Sequence, residues 1–136
     1  DSCYACHRFN EEGGGIGPDL ISAGGKFSPH DLLESIIEPS NEISDQYGSI
    51  TFTLKNGKQV IGRIANLKGD DYRIITDLMA PSAMTIIKTS DIKSSESTKF
   101  SMMPPGLLNM LEDDDILDLL AYILSRGNED DPLFQK

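Results

Sequence analysis

Residues able to bind a soft or borderline metal are scarce in this sequence, which has two cysteines and two histidines among 136 residues. A structural zinc site wants four ligands, usually thiolates and imidazoles. Beyond the short run that holds both cysteines and His7, the chain has only His30 and carboxylates to complete such a set. No stretch approaches the roughly 18 apolar residues of a membrane span, so no membrane-crossing helix is expected. Basic residues are also few, with 12 Lys and Arg against 22 Asp and Glu and a net charge of −10. Such a surface repels a phosphate backbone, so nucleic acid is not an expected partner. A thioredoxin-like dithiol would follow a strand in a βαβ pattern, and that pattern is not visible here.

Both cysteines fall in one short run, Cys3-Tyr4-Ala5-Cys6-His7. C-x-x-C-H spacing is the attachment signature of c-type haem, in which two thiols add across the vinyl groups and the next residue ligates iron. One covalent haem, held through Cys3 and Cys6 with His7 on the metal, is the first expectation. Covalent attachment takes place outside the bacterial cytoplasm, so a periplasmic or extracytoplasmic location goes with it. A redox dithiol and half of a zinc site remain the competing readings of the same spacing.

Charge divides the chain. Residues 46–100 hold eight Lys and Arg against five Asp and Glu, whereas the rest holds four against seventeen. A composition shift of this kind marks a boundary. The expected division is a haem domain from 1–45 and 101–136 with a β-rich subdomain, 46–100, inserted in it. An acidic haem domain would favour a basic redox partner through electrostatic steering, although acidity also serves solubility alone.

From Asn10 to Lys26 six glycines predict an irregular loop rather than helix. Ser28 as N-cap, Pro29 at the first helical position and Asp31 three residues after the cap then start a helix that Pro39 stops. His30, in its first turn, reads as an exposed histidine. Alternation over 49–54 and 59–64, around Asn56-Gly57, predicts a hairpin. Further strands are expected at 72–76 and 83–87, with a short closing one at Asp91-Ile92 and a polar link over 94–99. These strands suit a small barrel or curled sheet, with a glycine-turn pattern that resembles SH3-like or Sm-like barrels. A final helix is expected from about Glu112 to Arg126, its acidic first turn complementing the helix dipole. Its buried side is expected to include Leu117.

An iron held by one histidine needs a second ligand or an open position, and methionine, His30 or neither are the choices. Met79 and Met84 read as core residues of the strand region, and Met110 as a staple or core residue. Met102 and Met103 stand apart, because they precede Pro104-Pro105-Gly106 and Pro104 biases Met103 away from helical geometry. Packing of both on the core is the alternative.

In this order the motifs resemble a mono-haem class I cytochrome c. More narrowly, the chain resembles the haem-binding domain family typical of Planctomycetes and Verrucomicrobia. The likeness rests on Cys3 to His7, Gly14 to Leu20, Leu32 to Ile36, Glu38-Pro39-Ser40, Ser101 to Leu107 and Leu120 to Leu124. It implies a mainly α cytochrome c fold of haem-wrapping helices and loops, α+β overall once the inserted small β-barrel or sheet is counted. It also implies that Met103 rather than Met102 is the ligand, that the Pro18 carbonyl orients His7, and that Leu20 lines the haem pocket. Family members carry a helix ahead of the haem motif, where this chain opens on Asp1-Ser2. A mature fragment, or a domain from a longer redox protein, is therefore expected, with the last helix short of its usual packing partner.

The function expected is electron transfer by a relay module rather than an enzyme, since filling both axial sites leaves no place for substrate. The alternative is a gas sensor or peroxidase-like enzyme with a labile distal ligand. The 46–100 subdomain would be either a docking module or a flap over one haem edge.

Overall fold

The computed structural model describes residues 2–135, in two compact units. Of these, residues 2–42 and 103–135 form one and residues 43–102 the other.

In the first unit the cysteine motif forms a single 3-10 turn, Cys3–Ala5. A tight hairpin follows at once, β1 (Arg8–Phe9) with β2 (Glu12–Gly13). Its two turn residues, Asn10 and Glu11, have positive φ of 50° and 66°. That geometry matches the right-handed twist of the flanking strands. Three helices complete the unit: α1 (Leu20–Lys26), α2 (Pro29–Ile37) and α3 (Asp113–Leu124).

Side chains start each helix. Asp19 accepts from Ile21 N at 2.8 Å, and Ser28 Oγ accepts from Asp31 N at 3.1 Å. Glu112 and Asp115 form a reciprocal capping box on α3. Leu32, Leu120 and Ile123 make the buried core, with Leu20, Phe27, Leu33 and Ile36 packed around them. Burying each such side chain contributes about 1.5–3 kcal/mol.

The glycine-rich segment is not wholly irregular, because α1 carries Gly24 and Gly25 in its last turns. Packing explains the exception. A Cβ at Gly24 would collide with the Ile123 carbonyl oxygen of α3, and one at Gly25 would meet the Arg126 guanidinium. The glycines let α1 lie close on α3, and that contact offsets their poor helix propensity. α3 thus packs against both α1 and α2. Leu117 is on the open side of α3, 62% exposed, rather than in the core.

The second unit is a five-stranded antiparallel sheet in the order β6-β5-β4-β3-β7. Its strands are β3 (Ile50–Leu54), β4 (Gln59–Lys68), β5 (Asp71–Ile75), β6 (Thr85–Lys88) and β7 (Ile92–Ser97). The β3–β4 turn is closed by Gly57, at φ +88°, and by Asn56 Oδ1 accepting from Lys58 N. Phe52, Ile74 and Ile87 are the buried centre of one face.

Chain connectivity requires this sheet to curl. β6 and β7 are its two edges, so in a flat sheet they would stand about 19 Å apart at normal strand spacing. Only the 3-10 turn Thr89–Asp91 joins them, and the four steps from Lys88 to Ile92 reach about 14 Å at most. A register shift between Ile64 and Asn66 in β4 supplies curvature. The first part of β4 pairs with β3 and the rest with β5.

These elements overturn the expectation of a mainly α chain. The five-stranded sheet and the small hairpin outweigh three helices of 7, 9 and 12 residues. The helices are short because each has a local stop: the extended Phe27 before Pro29, Glu38 before Pro39, and Arg126 and Gly127 at positive φ. Residues 94–97, expected as a link, are strand in β7, which pairs with β3 from Ile50↔Ser97 to Leu54↔Ile92. Their polarity is that of an exposed edge strand. Met79 and Met84 are exposed, in or beside the turns between β5 and β6, and not in the core.

Candidate functional site

The 3-10 turn at the cysteines closes through Cys6 N and His7 N, which both donate to Cys3 O, at 3.1 and 2.8 Å. The glycine segment folds back over this turn. Gly14 N donates to Tyr4 O at 2.9 Å and Gly17 N to Cys6 O at 2.8 Å. A Cβ at Gly13 would collide with the His7 carbonyl oxygen, and one at Gly14 with that of Ala5. Gly17 lies against the imidazole itself, where a Cβ would be 2.6 Å from His7 Cε1. Three glycines therefore serve close approach to the motif, beyond their use in turns.

His7 Nδ1 lies 2.6 Å from Pro18 O. A carbonyl has no proton to give, so Nδ1 is the donor, and neutral His7 is the Nδ1–H tautomer. Its lone pair is then on Nε2, the atom such a histidine presents to a metal.

Cys3, His7, Leu20 and Met103 line one cavity of about 410 Å³ within the first unit. Ile36, Leu107, Leu108, Leu119 and Ile123 supply most of its apolar wall. The volume falls within the range of about 300–1,000 Å³ typical of small-molecule and cofactor sites. Pro18 reaches it through His7, to which its carbonyl is bonded. Cys6 is half-buried beside the turn and is not among the lining residues. Burial, and then the neighbouring Cys3, push the Cys6 thiol above the ordinary cysteine value. Met102 also stays outside the cavity: the second unit ends with it and the first resumes at Met103. Met110 is neither staple nor core, being 93% exposed at the cavity's edge.

The donor set fits an iron porphyrin. A neutral imidazole with a fixed tautomer, a thioether, two thiols and an aliphatic wall meet around one cavity or its supporting turn. His30 does not belong to it. It is exposed on α2 and sits with Asp31 and Glu34 in a cluster open to solvent.

Sequence reading missed the aromatic support behind the motif. The Tyr4 and Tyr122 hydroxyls share a hydrogen bond of 3.0 Å, and Tyr122 stacks on Phe9 with ring centroids 4.4 Å apart. The apolar residues at 107, 108 and 119 were visible only as helix or loop leucines. Among the described residues no helix is long and apolar enough to cross a membrane. Neither the protein-family models nor the curated proteins compared with this chain give a match.

Proposed function

We propose that the chain carries one c-type haem, covalently held by Cys3 and Cys6 with His7 and Met103 as axial ligands, and transfers single electrons. The observation that carries this reading is the meeting of Cys3, His7 and Met103 at one apolar cavity, with His7 oriented by Pro18. The C-x-x-C-H run supports it independently, because the spacing is that of haem attachment.

When bound, the haem supplies a one-electron couple. The chain's residues do the rest. Pro18 holds the Nδ1 proton and so fixes the histidine's tautomer and direction. Leucine and isoleucine side chains give the cavity an apolar wall, and thioether ligation would raise the potential relative to two histidines. With His7 and Met103 both holding the iron, no open position would be left for substrate, which favours a relay module over an enzyme. Attachment chemistry favours an extracytoplasmic location, and the acidity of residues 1–45 and 101–136 favours a basic redox partner.

Spectra of haem-loaded Met103→Ala and Met102→Ala test the assignment. Loss of the low-spin spectrum and of the oxidised methionine–iron band is expected for Met103→Ala alone. A high-spin, carbon-monoxide-binding spectrum in the unsubstituted protein would instead favour a gas sensor or peroxidase-like enzyme. Identical spectra from both variants would remove Met103 as ligand.

A further inference from the structure

Tyr122 touches residues on both flanks of His7. Its hydroxyl bonds to that of Tyr4, three residues before the histidine, at 3.0 Å. Its ring stacks on Phe9, two residues after it, at 4.4 Å and 28°. Phe9 is 1% exposed, so that side of the stack is fixed in the interior. Tyr4 is half-buried, and its ring lies close against Gly13, where a Cβ would come within 2.9 Å of it. Tyr122 stands on α3 beside Leu119 and Ile123, which wall the cavity.

We propose that Tyr122 is a positioning residue for His7, clamping the histidine's two flanks to the helix that walls the cavity. Pro18 sets the ring's rotation, whereas Tyr122 sets where the backbone carrying the ring stands relative to Leu119 and Ile123. One contact is polar and directional, the other an aromatic stack, so together they fix both position and tilt. A ligand's aim depends on such outer contacts as much as on its own bond. In its haem-bound form this inference rests on the reading above, but the placement of His7 is measurable without haem.

The test compares Tyr122→Phe, Tyr122→Leu and Tyr4→Phe with Leu117→Ala, an exposed site on the same helix. In haem-free protein, the His7 ring proton resonances and the melting temperature are measured. In haem-loaded protein, the midpoint potential is measured. Tyr122→Phe keeps the stack, so it is expected to shift the His7 resonances about as much as Tyr4→Phe. Combining those two is expected to add nothing, since both remove one bond. Tyr122→Leu is expected to split or broaden the resonances and to shift the potential, while Leu117→Ala changes neither. A lowered melting temperature with His7 resonances and potential as in the unsubstituted protein would overturn the proposal and leave Tyr122 as packing only. Failure to take up haem would overturn the electron-transfer reading, and the haem-free resonances would still decide the positioning role.

Discussion

Replacing Gly17 by alanine adds a single methyl group to the back of the proposed ligand. Its carbon would lie 2.6 Å from His7 Cε1, 2.8 Å from Nδ1 and 3.0 Å from Nε2. Ordinary contact begins at 3.4 Å, so the ring must withdraw by about 0.8 Å. The 2.6 Å bond from Nδ1 to Pro18 would stretch towards 3.4 Å or break. The φ of Gly17 is outside the left-handed region, so the backbone itself accepts alanine and the cost is steric. Overpacking of this kind costs about 1–3 kcal/mol and the lost hydrogen bond about 1 more, roughly 2–4 in all. Gly15 is the control, since a Cβ there meets nothing within 4 Å. Its alanine variant should stay within about 0.5 kcal/mol of the parent. Chemical denaturation of the two haem-free variants gives the stabilities, and the His7 Nδ1 proton resonance reports the bond. Equal stabilities for Gly17→Ala and Gly15→Ala, with that resonance unmoved, would refute the close packing of glycine on imidazole.

Tyrosinate absorbance should show one of the four tyrosines titrating late. The Tyr4 hydroxyl, and then burial, push Tyr122 up to about 12 from its usual 10.0. The folded state favours the protonated phenol, so this contribution to stability is complete below about pH 10 and lost as pH rises towards 12. Tyr4→Phe should bring the late transition down towards 10. Asp19→Ala removes the oxygen that caps α1 and should cost about 1 kcal/mol in a denaturation curve. Gly62→Ala would drive a Cβ into the Ile75 carbonyl oxygen, so a loss of amide protection along the β4–β5 pairing is expected. Protection unchanged there would contradict the register.

Local chemistry made parts of this chain readable. Ser28, Pro29 and Asp31 start α2 by satisfying the first turn's donors, a rule that needs no tertiary partner. Asn56 and Gly57 close the β3–β4 hairpin for equally local reasons. What escaped depends on distant partners. Gly24 and Gly25 argue against a helix until the carbonyl of Ile123 comes close enough to require them. β7 hides its strand character because one edge and most of its side chains face water. In the site, Cys3 to His7 is legible as a motif and the Met102-Met103 pair by its proline context, whereas Pro18 and the choice of Met103 over Met102 entered through a resemblance. The Tyr4–Tyr122 pair spans 118 positions, and no spacing rule joins residues so far apart.

The β3–β7 pairing has a consequence for chain entropy. Residues 43–102 leave the first unit after Glu42 and return to it at Met103. Ile50 pairs with Ser97, and Thr98 N donates to Ser49 O, so the sixty-residue excursion is fastened near its base. Only about a dozen residues, 43–49 and 98–102, remain outside that fastening. Closing a dozen-residue loop in place of sixty saves about 1.4 kcal/mol of configurational free energy. Met103, where the first unit resumes, stands five residues after Thr98. Weakening the β3–β7 pair should therefore loosen the cavity's methionine wall without altering any residue that lines it.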